Sequence, residues 1–216
     1  MKIFRIPENC RAVIFDMDST LYTNKEYEKQ QVDVLIERFA SLRGKSFDEA
    51  NWEISGYRKE WTAKNGGSIS LGNTLAAFGI SIEESVKWRN ELVKPRPYIH
   101  PDAVLRSTLE NLSGFFSLAV VTNNSVAVAN ETLDALGVAD LFRAVVGLDT
   151  CWVSKPHKAP LAKAASLCAA PVETCLSVGD RYDIDIALPL AIGMGGILVD
   201  GVEDVYRLPD VLLTEK

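Results

Sequence analysis

Ala12-Val13-Ile14-Phe15-Asp16-Met17-Asp18-Ser19-Thr20-Leu21 is the stretch on which the reading of the whole chain turns. An apolar run with β-branched and aromatic residues leads straight into an acid, the pattern of a buried parallel strand that ends at a site. Asp16 and Asp18 are two positions apart, and in extended backbone such residues point to the same side. Two carboxylates in one small volume repel each other unless a cation joins them or one keeps its proton. Open α/β sheets bind ligands at the carboxyl ends of their strands. The plainer reading is an Asp-Ser-Thr turn that caps the next element, and this stretch alone leaves both readings standing.

Downstream, apolar residues recur at helical spacing. Tyr27, Val32, Leu35, Ile36 and Phe39 predict a helix over 24–43, stopped by Gly44. Phe47, Ala50, Ile54, Tyr57 and Trp61 predict a second over 46–64, broken at Gly66-Gly67. A third covers 72–78. A fourth runs to about 93 from Ser81, with Glu84 three residues on as a capping box, and Pro95 and Pro97 end it. No strand pattern interrupts these helices. Trp52, Tyr57, Trp61 and Trp88 read as core; Arg58, Lys59 and Lys64 read as a solvated helix face.

After Pro97 the pattern alternates. Helices are expected over 102–111, 126–136, 159–167 and 184–191, with Pro189 distorting the last, and strands over 117–121, 144–146, 176–178 and 196–199. Strands alternating with helices predict an α/β fold with a doubly wound parallel sheet and right-handed crossovers.

The chain has 216 residues, 47% of them hydrophobic and 24% charged, enough for a sizeable core in one large domain or two unequal ones without disulfides. The net charge of −6 argues against a nucleic-acid polymer or an anionic membrane surface as partner. Residues 1–10 lack the pattern of a secretory signal, and no apolar run approaches a membrane span. Cys10, Cys151, Cys168 and Cys175 are scattered without a CxxC, as expected of reduced thiols in a cytoplasmic protein.

Three apolar strands end in polar residues suited to phosphoryl chemistry: Asp16 and Asp18, then Thr122, then Asp180. Parallel strands place all their carboxyl ends on one edge, so these residues converge despite their separation in sequence, and a loop on that edge supplies Lys155. The set reads economically. Asp16 is a carboxylate nucleophile that takes a phosphoryl group, and Asp18 is the acid for the leaving alcohol and then the base for water. Mg²⁺ prefers oxygen ligands; Asp16, Asp180 and the backbone carbonyl of Asp18 would hold it, with Asp185 as a ligand or an outer acceptor. The Thr122 hydroxyl and the Asn123 backbone N–H would hold transferring oxygens, and Lys155 would neutralise charge on the phosphoryl group and on Asp16. Singly, each feature has a plainer reading. Thr122-Asn123-Asn124 could cap a helix, Lys155 has Lys158 and Lys163 for neighbours, and Gly179-Asp180 could be a turn. All of them in this order is what disfavours coincidence.

With these motifs the chain resembles a hydrolase of the haloacid dehalogenase superfamily. Asp16-Met17-Asp18-Ser19-Thr20 resembles the first motif of that family, Thr122 the second, Lys155-Pro156 the third, and Gly179-Asp180 through Asp185 the fourth. The resemblance implies a Rossmann-like catalytic core from 1–21 and 96–216 and an inserted α-helical cap over 22–95. It further implies a Mg²⁺-dependent phosphatase of a small phosphorylated metabolite, working through an aspartyl-phosphate. Dehalogenases of the superfamily do without Asp18, Asp180 and Asp185, so their presence favours phosphate chemistry; Asp18 also speaks against the P-type ATPases. Phosphomutases share core and cap and stay open, as does a binding protein that kept the fold. Gly66-Gly67 before Leu75, Gly79-Ile80 and Thr122-Asn123 resemble pyrimidine 5′-nucleotidase-like members, and a phosphoglycolate phosphatase-like activity stays open beside that one. Asp183, an extra acid inside the fourth motif, competes with Asp185 for the outer role.

Overall fold

The computed structural model describes residues 1–213. Its strands are β1 (Lys2–Arg5), β2 (Ala12–Phe15), β3 (Ser117–Val121), β4 (Ala144–Val146), β5 (Cys175–Gly179) and β6 (Gly195–Leu198). Between β2 and β3 lie α1 (Lys25–Arg43), α2 (Phe47–Asn65), α3 (Leu71–Ala77), α4 (Ile82–Leu92) and α5 (Ala103–Ser113). Then come α6 (Val126–Leu136), α7 (Leu148–Cys151), α8 (Lys158–Leu167) and α9 (Ala187–Ala191), and short helices at Val202–Val205 and Leu208–Leu212 close the described chain.

The sheet order is β1-β6-β5-β2-β3-β4. From β6 to β4 every pairing is parallel. β2 is buried on both faces, and its pattern shows how. Val13 and Phe15 join the cluster under α5 and α6, whereas Ala12 and Ile14 join the one under α8. A strand covered by helices on both sides has no polar face, so it reads as a continuous apolar run. Full burial of such side chains contributes about 1.5–3 kcal/mol each.

The sheet is mixed rather than wholly parallel, because β1 pairs antiparallel with β6. β1 is mostly exposed, so it lacks the buried apolar run that reveals the others, and Lys2 and Arg5 at its ends keep the sheet edge from pairing with another chain.

α1 to α4 carry their own apolar cluster around Leu35, Phe39, Ile54, Leu75 and Trp88. Asn24 caps α1 by accepting from Tyr27 N at 3.0 Å. Ser81 caps α4 by accepting from Glu84 N at 3.2 Å, but Glu84 bonds Trp88 Nε1 at 2.7 Å instead of completing a capping box. The reciprocal box forms at Ser46 and Glu49, at the start of α2. Two of the aromatics expected in the core are not there: Trp52 is 80% exposed and Trp61 39%. Trp52 lies two residues from both Ala50 and Ile54, hence on the opposite side of α2 from the buried stripe. Trp61 sits beyond Ile54, where Tyr57 is its ring neighbour. Among the described residues no helix is long and apolar enough to cross a membrane.

Candidate active site

β2 is flanked by β5 on one side and β3 on the other, so the chain changes direction along the sheet there, the place where open α/β sheets hold ligands. Phe15 pairs in register with Val120 and with Val178. The residues just past these three strands therefore stand side by side: Asp16 and Asp18 after β2, Thr122 after β3, Asp180 after β5. The loop after α7 brings in Lys155.

Lys155 is buried, and its Nζ donates to Asp16 Oδ1 at 2.6 Å and to Asp185 Oδ1 at 2.7 Å. Burial works against its charge, but the two carboxylates outweigh that and hold the ammonium above the usual lysine range. Its backbone is clamped by Asn123, whose Oδ1 accepts from Lys155 N at 2.7 Å while Nδ2 donates to Lys155 O at 3.4 Å. Asn123 thus places its side chain on the lysine loop. Thr122 is buried, and its hydroxyl accepts from Asn124 N at 3.1 Å.

Asp16, Asp180 and Asp185 bring one carboxylate oxygen each to within 4.8 Å of one another. Burial, and then the charges of Asp16 and Asp185, push Asp180 up to about 7. Asp185 is raised by burial and by Asp16. An all-oxygen set under mutual repulsion suits a hard divalent cation. Gly179 makes the arrangement possible, because a Cβ there would lie 2.5 Å from the Cβ of Asp185. A π-helical turn, Tyr182–Ile186, separates the two acids that the sequence left in competition. Asp185 turns inward to Lys155 and to the Arg181 N–H at 3.2 Å. Asp183 turns toward the helices and accepts from Ser68 N at 2.5 Å and Ser68 Oγ at 2.6 Å.

Asp18 lies apart from that acid cluster. Its Oδ1 accepts from Gln31 Nε2 at 2.8 Å and from the Tyr22 hydroxyl, and its Oδ2 accepts from Asn124 Nδ2 at 3.2 Å. Asn124 also donates to Gln31 Oε1 at 2.7 Å, which closes the network. Burial, followed by the charge on Asp16, raises Asp18 above the usual carboxylate range, and the donors from Tyr22 and Gln31 pull it back in part. Gln31 and Asn124 were missed in the sequence. Gln31 occupies a core position of α1, four residues from both Tyr27 and Leu35, and a polar residue on a buried stripe is the signal that could have found it.

A cleft of about 260 Å³ runs between this edge and the helices; Asp16, Asp18 and Asp180 line one side, and Gln31, Ser70 and Arg89 the other. Ser70, the N-cap of α3, reaches across to Ser154, Oγ to Oγ, at 2.7 Å. Arg181 also lines the cleft, with Nε 3.9 Å from Asp180 Oδ1. Burial opposes the Arg181 charge, and Asp16, Asp185 and Asp180 more than restore it.

The chain is similar to several known proteins. A phosphoglycolate phosphatase of Neisseria meningitidis is 29% identical over 217 residues, which cover 95% of this chain and 90% of that protein. Among solved structures, a HAD phosphatase from Thermococcus onnurineus superposes with a TM-score of 0.62 at 19% identity, covering 94% of this chain and 97% of that one. A 2-haloacid dehalogenase from Pseudomonas syringae superposes with a TM-score of 0.59 at 22% identity, covering 96% of this chain and all of the other (100%). At these identities the structures establish the fold alone. The sequence model of the haloacid dehalogenase-like hydrolases matches residues 10–193, a span that takes in every strand end bordering the cleft, and the chain belongs to that family.

Proposed function

We propose that this hydrolase is a Mg²⁺-dependent phosphatase that releases phosphate from a small phosphomonoester through an aspartyl-phosphate on Asp16. The observation that carries this reading is the contact of 2.6 Å between Lys155 Nζ and Asp16 at the end of the central strand, with Asp18, its pKa raised, held beside it by Tyr22, Gln31 and Asn124. The relatives named as phosphoglycolate phosphatases support phosphate ester chemistry and make 2-phosphoglycolate the first substrate to try.

The mechanism follows from the side chains. A carboxylate oxygen of Asp16 attacks phosphorus in line, and the bond to the leaving oxygen breaks as Asp18 donates its proton to that oxygen. Asp18, now ionised, takes a proton from water; the water oxygen attacks phosphorus and the Asp16 carboxylate leaves. Lys155 stands beside Asp16 throughout and offsets the charge that builds on the transferring group. The Thr122 hydroxyl and the Asn123 backbone N–H would hold its outer oxygens. Asp16, Asp180 and Asp185 would hold Mg²⁺, with the backbone carbonyl of Asp18 as a further ligand; the ion would supply positive charge to the phosphoryl oxygens.

We also propose that residues 22–95 act as a cap that covers the cleft and excludes water from the intermediate. The links Ser68–Asp183 and Ser70–Ser154 support this, since both join the helices to the sheet edge. A cytoplasmic location fits the scattered cysteines, which form no CxxC. The test is phosphate release from a panel of monoesters with Mg²⁺ and with EDTA. Release is expected only with metal, and Asp16→Asn is expected to abolish it while the protein stays folded. An active Asp16→Asn protein would refute the assignment.

A further inference from the structure

Arg89 lies on α4, is 5% exposed, and borders the cleft together with Asp18 and Ser70. Its Nη1 is occupied by its own helix, donating to Ser85 O at 3.2 Å and to Ser85 Oγ. Nε and Nη2 have no acceptor among the described residues, and no carboxylate forms an ion pair with this side chain. A buried guanidinium is rarely left so, because removing it from water without a counter-charge is costly. Arg106, on the surface, shows the usual outcome, with a paired contact to Asp140 at 2.8 and 3.0 Å. Arg181, the other arginine at the cleft, stands among the acids of the metal cluster.

Burial lowers Arg89 to about 10, so it is still cationic at neutral pH, and the charge of Asp18 helps to keep it so. The backbone at Gly72 passes beside it: a Cβ there would meet Nη2 at 3.9 Å. The side chain lines the cleft, and its unbonded edge, Nε and Nη2, is a planar pair of donors whose geometry matches the two oxygens of a carboxylate. Asp16 and Arg89 line the same cleft of about 260 Å³, so one small ester can meet both.

We propose that Arg89 is the specificity-determining residue of the cleft, and that it binds a carboxylate on the same short skeleton whose phosphoryl group lies at Asp16. The inference rests on the phosphatase reading above and deepens it. The free anchor of Arg89 becomes paired when the right ester enters, whereas an ester ending in a hydroxyl leaves the guanidinium buried and unpaired. Discrimination of this sort is strong, because a buried donor without its partner is heavily penalised.

The experiment compares 2-phosphoglycolate with 2-hydroxyethyl phosphate, which has a hydroxyl where the former has its carboxylate. In wild type, kcat/KM is expected to favour 2-phosphoglycolate by at least about 30-fold, the lower range for a buried charge pair. In Arg89→Met the ratio is expected to fall toward unity, and in Arg89→Lys, which keeps the charge without the planar fork, to lie between. Circular dichroism establishes that each variant is folded. A wild-type ratio near unity, or a ratio that survives in folded Arg89→Met, overturns the proposal. Where neither ester turns over, the monoester panel decides the phosphatase reading, and titration calorimetry decides this proposal separately. Tighter binding of 2-phosphoglycolate that is lost in Arg89→Met upholds the anchor; equal binding of both esters, or no binding of either, refutes it.

Discussion

Gln31 Nε2 donates to Asp18 Oδ1 at 2.8 Å, so a residue of helix α1 fixes an acid that belongs to the end of strand β2. The proton that Asp18 would give to the leaving oxygen is thus positioned by the helices that cover the cleft. On the proposed mechanism, this bond and the one from Asn124 to Gln31 would tie the acid to the helices.

Gln31→Leu is therefore expected to lower kcat by on the order of 10-fold, the worth of a hydrogen bond to a charged group. It also removes a donor that favours ionised Asp18, so the pKa of Asp18 should rise further. Asp18 must be protonated for the first step, and kcat/KM falls as pH climbs through its pKa. The alkaline limb of the profile should accordingly move to higher pH in Gln31→Leu. An unmoved or acid-shifted limb would argue against the role of Asp18.

The acid cluster makes a second expectation about pH. Asp180 has a folded-state pKa of about 7 against an ordinary value of 3.8, and Asp185 is raised as well. A raised acid contributes stability that is whole below the ordinary value and is lost as pH rises through the folded one. Metal-free protein should thus lose Tm between about pH 4 and pH 7, and Asp180→Asn should flatten that decline. Mg²⁺ would bind the ionised cluster on the proposed function, so its stabilisation should grow with pH, reaching about 2.7 kcal/mol at a concentration roughly 100 times Kd. Differential scanning calorimetry with and without Mg²⁺ at pH 5 and pH 8 checks this; an equal gain at both would contradict it.

Asp183 and Asp185 should separate cleanly on substitution. Asp185→Asn is expected to weaken Mg²⁺ binding by about 10–100-fold, whether the side chain holds the ion or orients a residue that does. Asp183→Asn takes the charge from the acceptor of the Ser68 bonds and weakens them instead, so hydrogen exchange in 66–70 should quicken while metal affinity stays within a factor of about two. Loss of metal affinity in Asp183→Asn would reverse the assignment.

Gly179→Ala forces a methyl group against the Cβ of Asp185, at 2.5 Å in the present backbone. Overpacking of this kind costs about 1–3 kcal/mol, and here the displaced side chain is an acid of the cluster. Lowered Tm together with weaker Mg²⁺ binding is expected, and unchanged metal affinity would show that Asp185 is dispensable to the ion.

The sequence reveals the sheet wherever burial is two-sided. β2, β3 and β5 are apolar runs that end in Asp16, Thr122 and Asp180, and a run between helices leaves little alternative. β1 is hidden because an exposed edge strand has no such run. The acids and Lys155 are legible because each closes a strand or sits in a loop on the shared edge. Gln31, Asn124 and Arg89 are not, because their importance comes from where the helices fold back. Gln31 occupies a buried position of an otherwise apolar stripe, where a polar side chain looks like noise until its partner Asp18 is known, and Arg89 is buried on α4 beside Ser85. Trp52 shows the converse: an aromatic residue suggests core, but its place around α2 decides, and that place faces solvent.

The stereochemical course at phosphorus tests the covalent step on Asp16 most directly. Each in-line displacement inverts phosphorus, so attack by Asp16 followed by attack by water inverts it twice. A phosphorothioate ester made chiral by sulfur, ¹⁶O and ¹⁸O at phosphorus, hydrolysed in ¹⁷O water, should give inorganic thiophosphate with overall retention. Overall inversion would mean that water attacks the substrate directly, and that Asp16 never carries the phosphoryl group.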